Sequence, residues 1–143
     1  MKIKQLIGII FICLICGGFA LFYFFQVHEL IILKNSHELV NGVIVEVNHH
    51  STRKSSETWL TCSYIYKGKT YNKRLLVSSG IPFFASFPFE YQKGETLFML
   101  NYEKDIIFPQ NNINMEILRR SLYLLLLSII LIVFIVLIKI FLK

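Results

Sequence analysis

Two long apolar runs, residues 6–27 and 122–138, bracket the rest of the chain, and neither contains a charged side chain. A helix rises 1.5 Å per residue, so a hydrocarbon layer of roughly 30 Å takes about 20 apolar residues to cross. Each run is close to that length, and mean hydropathy over all 143 residues is +0.57. The expected architecture is a membrane α+β protein. Two transmembrane helices flank a small antiparallel β domain of about five strands, barrel-like or a curled sheet. The boundaries fall at 1–38 (first membrane helix with a polar extension), 39–109 (β domain) and 110–143 (second membrane helix).

Charge placement predicts a topology. All nine acidic residues and eleven of the fifteen basic ones lie between the runs. Lys2, Lys4, Lys139 and Lys143 lie outside them with no acid beside them. Short Lys-bearing flanks stay cytoplasmic under the positive-inside rule, which puts both termini inside and the β domain on the periplasmic or extracellular side of a bacterial inner membrane. Arg119 and Arg120 sit on the far side of the second run, where Arg can snorkel to lipid phosphates, and are read as interface anchors. A secretory signal is the rival reading of the first run, given Gly17, Gly18 and Ala20. The aromatic stretch Leu21-Phe22-Tyr23-Phe24-Phe25 that follows favours an uncleaved anchor. Gly17 and Gly18 allow close helix approach, so the two anchors are expected to pack there, with an oligomer through the membrane helices as the alternative. Cys13 and Cys16 read as small apolar surface in lipid rather than as a metal or redox pair.

The middle has strand character. Val43, Val45 and Val47 alternate with Ile44, Glu46 and Asn48, which predicts a half-buried strand. Residues 49–57 are polar and read as a loop. Leu60, Cys62, Tyr64 and Tyr66 share one face of a second strand. Lys67-Gly68-Lys69 turns it into a third, Gly68 supplying positive φ. Residues 96–102 and 106–108 complete the set. Pro82 and Pro88 exclude a regular strand or helix interior between residues 81 and 91.

Gly42-Val43-Ile44-Val45-Glu46, the run Tyr64-Ile65-Tyr66-Lys67-Gly68-Lys69-Thr70-Tyr71, and Tyr91 through Tyr102 with Lys93-Gly94-Glu95 resemble the bacterial domain-of-unknown-function 3592 family. The resemblance covers residues 39–108. It implies one or two membrane helices beside a small β domain and brings no activity with it. The family's closing tyrosine-aspartate-proline is replaced here by Tyr102-Glu103-Lys104-Asp105.

Chemistry is sparse. No phosphate-binding glycine loop or nucleophile elbow occurs, and the mildly basic middle lacks the dense Lys/Arg face of a nucleic-acid binder. His49, His50 and Asp105 are the one conceivable catalytic set. The sequence assigns no catalytic, cofactor-binding or metal residue and implies no cofactor. Its best candidate for a partner or membrane-interface surface is Phe83, Phe84, Phe87, Phe89 and Tyr91, joined by Trp59, because so many rings exceed what one short segment buries. The partners expected are the lipid bilayer and another protein. The function expected is a membrane-anchored, non-enzymatic protein-binding or accessory protein, an immunity protein against a toxin being one form. The alternatives are a structural subunit stabilising a larger membrane complex and, last, an envelope-acting enzyme.

Overall fold

The computed structural model describes residues 2–53, 56–80 and 91–143, apart from the side chains of residues 51 and 78–80. Helix α1 (Lys2–Asn35) is followed by strands β1 (Glu38–Ser51), β2 (Ser56–Tyr66), β3 (Lys69–Gly80), β4 (Gly94–Asn101) and β5 (Ile106–Pro109). A 3-10 turn (Gln110–Asn112) then leads into helix α2 (Ile113–Phe141). The chain forms two compact units: Met1–Ile32 with Ile117–Lys143, and Leu33–Glu116.

In the helical unit both helices are long and apolar enough to cross a membrane, and their most apolar windows are only 6% and 0% buried. A soluble protein's core helix would be covered; here Leu14, Phe11, Ile132 and Leu125 face outward. The more protected positions of α1 recur every three or four residues, through Cys13, Cys16, Ala20, Tyr23, Val27 and Leu30, and so form one side of the helix. The helices meet through Tyr23 and Tyr123, whose rings stack at 5.1 Å and 7°. The expected packing at Gly17 and Gly18 is not found. A Cβ at either would meet nothing within 4 Å, because the larger tyrosine rings make the contact instead. Ser128 returns its hydroxyl to the Leu124 carbonyl at 2.7 Å, which satisfies it within its own helix.

The second unit is a five-stranded antiparallel sheet in the order β3-β2-β1-β4-β5. It is curled and not closed, so of the two expected forms the open one holds. β2 carries the regular alternation: Ser56, Thr58, Leu60, Cys62, Tyr64 and Tyr66 point into the core. Its hairpin with β3 turns at Lys67 and Gly68, with φ of 49° and 77°, the pair of positive values that matches strand twist in a two-residue turn.

β1 departs from the expected alternation. Its register against β2 shifts between Ile44 and Glu46. Before this bulge Val40, Gly42 and Ile44 face the core; beyond it Val47 and His49 do, opposite Leu60 and Thr58. The extra residue reverses parity, so Val43 and Val45 are on the outside. The segment read as a polar loop is instead mostly paired: His49, His50 and Ser51 continue β1 against Thr58, Glu57 and Ser56.

The core is filled by Leu33, Val40, Ile44, Leu60, Val77, Phe98, Leu100, Ile107, Phe108 and Ile113. Phe98 lies across Gly42, the one glycine among the described residues of the sheet unit at which a side chain would collide with packed atoms. Asn101 fastens the far end, donating to the Ser36 carbonyl at 3.0 Å and accepting from Lys104 N–H at 3.1 Å.

Candidate functional site

The bulge in β1 builds an apolar surface on the face of the sheet away from the core. Leu39, Val43 and Val45 of β1, Ile65 of β2 and Leu97 of β4 all point there. Ile65 is 60% and Val45 51% exposed, whereas a half-buried sheet usually shows polar residues on its outer face. A shallow groove crosses this face, lined by Val43, Ile65 and Leu97 with Asn41, Ser63 and Thr70 between and beside them. Among the described residues, Glu95 is the one charged residue that lines it.

On the same face, beyond the groove, the Arg74 guanidinium lies 4.5 Å from the centre of the Trp59 ring, and Trp59 Nε1 donates to Glu57 Oε2 at 3.2 Å. Trp59 is therefore a half-buried surface residue held by a cation above and a carboxylate at its edge. Of the other predicted surface residues, Phe83, Phe84, Phe87 and Phe89 lie outside the described residues. Tyr91 is buried, with 9% of its surface exposed, so it sits among the core residues rather than on a contact surface. Arg119 and Arg120 are also buried, and the Arg119 guanidinium lies 5.9 Å from the Tyr123 ring. Protein covers both arginines, so neither extends freely as the snorkelling reading expects.

Where β2–β3 and β4–β5 turn, the curled sheet is clasped. Lys73 Nζ sits 3.1 Å from Asp105 Oδ1 and also donates to the Asp105 carbonyl. Tyr66 stacks on Tyr102 at 4.9 Å, and Tyr64 on Tyr71 at 5.5 Å. The Tyr71 hydroxyl is hydrogen-bonded to that of Tyr102, which, with burial and the charges that would form on Tyr102 and Tyr66, pushes its pKa up. Burial, followed by the charge of Asp105, does the same to Tyr64. Cys62, in the core beside this clasp, donates to the Lys73 carbonyl at 3.3 Å. Burial raises its thiol pKa to about 11 despite the opposing charge of Lys73.

The three residues that could have made a catalytic set are not assembled. His49 Nδ1 is 2.8 Å from Thr58 Oγ1, while Asp105 is bound to Lys73, the register partner of Cys62. Four residues of β2, roughly 13 Å, separate those two points. His50 points to the opposite face from His49. Among the described residues no group of three or more His, Cys, Asp or Glu side chains is placed to hold a metal ion.

Comparison with family models, with curated proteins and with solved structures finds no match to this chain.

Proposed function

We propose that this chain is a membrane-anchored, non-enzymatic binding or accessory protein of a bacterial inner membrane. Both termini lie in the cytoplasm, and the sheet forms a binding head on the other side. The observation that carries the reading is the pair of apolar helices with almost fully exposed windows, joined to a sheet whose outer face carries a cluster of exposed apolar side chains, Val43, Val45, Ile65 and Leu97. Surfaces of the first kind are covered by lipid and of the second by a partner. The Lys-bearing flanks support the orientation. The separation of His49 from Asp105 supports a role without catalysis. The resemblance of residues 39–108 to the 3592 family fits this reading and adds no activity to it. Neutralising a toxin that arrives at the membrane is the particular role this layout suits.

Topology is the decisive test. In spheroplasts, a cysteine at Glu103 should react with a membrane-impermeant maleimide, and cysteines at Lys4 and Lys143 should react only after permeabilisation. The reverse pattern would overturn the orientation, and recovery of the protein without detergent would overturn the anchoring. For the toxin role, deletion in the native host should sensitise cells to a toxin encoded nearby; unchanged survival removes that role.

A further inference from the structure

We propose that the end of the sheet unit at which α1 stops rests on the phospholipid surface, with Lys67 and Lys69 at one turn and Lys104 at another meeting lipid phosphates. The inference rests on the membrane-anchored reading and adds a second lipid contact to the one made by the helices.

Strand register places the two turns. α1 ends at Asn35 and β1 starts at Glu38. β1 runs away from that point and β2 returns antiparallel to it, Tyr64 pairing with Gly42, so the Lys67–Gly68 turn comes back to the start of β1. β4 also returns to this end, Leu100 pairing with Glu38, and the turn through Glu103 and Lys104 follows it. Asn101 is tied there to the Ser36 carbonyl, and the stack of Tyr66 on Tyr102 brings the two turns together. The connection from β1 to β2, beyond His50 and Ser51, lies at the opposite end. Lys34 and His37 line one cleft with Asn111 and Asn114, so α2 begins beside the place where α1 stops.

Chain length brings this end to the lipid. Leu33 is fully buried in the core of the sheet unit, and α1 is unbroken from Lys2 to Asn35. Leu33 is six residues past Val27, where the apolar run ends, which is about 9 Å of helix. Asn114 is eight residues before Leu122, about 12 Å. The headgroup layer outside the hydrocarbon is about 5–7 Å deep on each side. Only a few ångströms remain, a gap that lysine side chains bridge and that is too shallow for another protein, since a single helix is roughly 10 Å across.

Residue type agrees with that occupant. Among the described residues, the exposed charges at this end are Lys34, Lys67, Lys69 and Lys104 against Glu38 and Glu103, with Asp105 paired to Lys73. A surplus of lysine suits a surface of anionic phospholipid. Lys67 Nζ lies 5.4 Å from the centre of the Tyr66 ring, a contact that leaves ammonium N–H groups to donate to phosphate. Tyr102 is 58% exposed beside them, and tyrosine is enriched at the headgroup level.

The test uses the full chain reconstituted in vesicles, with Cys13 and Cys16 changed to Ala and the buried Cys62 retained. A fluorescent maleimide is attached at Thr70→Cys, Glu103→Cys or His50→Cys, and the quencher is a nitroxide carried on phospholipid headgroups. In vesicles of phosphatidylcholine mixed with phosphatidylglycerol, quenching should be several-fold stronger at the first two positions than at the third. Lys67→Glu together with Lys69→Glu should lower quenching at the Thr70 position several-fold, and the paired Lys→Arg changes should preserve it. Protection of Cys62 from labelling shows that each variant is folded. Equal quenching at the Thr70 and His50 positions, or quenching indifferent to charge reversal, overturns the proposal and leaves the anchoring standing. Release of the protein from the vesicles without detergent removes both.

Discussion

Phe98 occupies the space that a side chain on Gly42 would need. A Cβ built on Gly42 would lie 2.5 Å from Phe98 Cε2 and 2.9 Å from the Ser63 carbonyl oxygen. The ring is fully buried and cannot retreat without moving β4. Gly42→Ala should therefore cost about 1–3 kcal/mol through overpacking, read by denaturant titration in detergent. Phe98→Leu in the Gly42→Ala background should return part of that loss, giving a coupling energy of at least about 0.5 kcal/mol. Strict additivity of the two changes would show that the ring does not press on Gly42.

Tyr102 makes two separable contacts, a stack on Tyr66 and a hydroxyl bond to Tyr71. Tyr102→Phe keeps the first and loses the second. Tyr102→Ala also loses the ring stack and should be less stable than Tyr102→Phe by about 1 kcal/mol. Because the hydroxyl bond is the leading cause of the raised Tyr71 pKa, Tyr102→Phe should also move Tyr71 ionisation back toward the ordinary phenol range, seen by ultraviolet difference titration.

The Lys73–Asp105 pair is unequal in exposure, 28% against 83% for the side chains. Solvent screening keeps such a pair within about 1 kcal/mol, and the Asp105 backbone carbonyl still accepts from Lys73 when the carboxylate is neutral. Asp105→Asn should accordingly be nearly silent. Lys73→Met removes both bonds and should destabilise by about 1–2 kcal/mol. High salt should narrow the difference between the wild type and Asp105→Asn.

Cys62 should resist thiol reagents at pH 7–8 in the folded protein and react promptly once unfolded, since the thiolate is the reactive form and burial raises its pKa to about 11. The unfolded chain releases this proton near 9.0, the folded chain near 11. Between those values the unfolded state binds fewer protons, so stability falls as pH rises, and the loss levels off above the folded pKa. Cys62→Ala should abolish this slope while leaving those from other groups.

Ile129 lies near the middle of the second apolar run and points away from the protein. Ile129→Arg should raise the free energy of insertion by about 2.5–3.5 kcal/mol, visible as a larger fraction extracted from membranes by alkaline carbonate. The same substitution at Glu103, on the turn, should leave extraction unchanged.

The two helices and the β2–β3 hairpin were legible in the sequence because each follows from local chemistry. Run length marks the helices, while strict alternation and Lys67-Gly68 mark the hairpin. β1 was legible as a strand but not in its facing. A bulge leaves no compositional trace, and Val45 looks as buried as Val47 until the register against Cys62 and Thr61 is known. Residues 49–51 looked like loop because their hydrogen bonds, rather than buried side chains, hold them in the ladder. The clasp of Lys73, Asp105, Tyr66 and Tyr102 depends on how far the sheet curls, a property of no single segment. Trp59 could be read from the sequence either as surface or as a cross-strand core residue, and its Arg74 partner, fifteen positions away, carries no sequence signal.

The strand order has a consequence for biogenesis. β1 lies at the centre of the sheet, yet its two neighbours are made at different times. As the ribosome extends the chain, β2 and β3 can fold back at once, but the other edge of β1 stays bare until Asn101 has emerged. During that interval the strand edge is open to whatever passes, so a chaperone or a rapid docking of β4 governs whether the nascent sheet matures or aggregates.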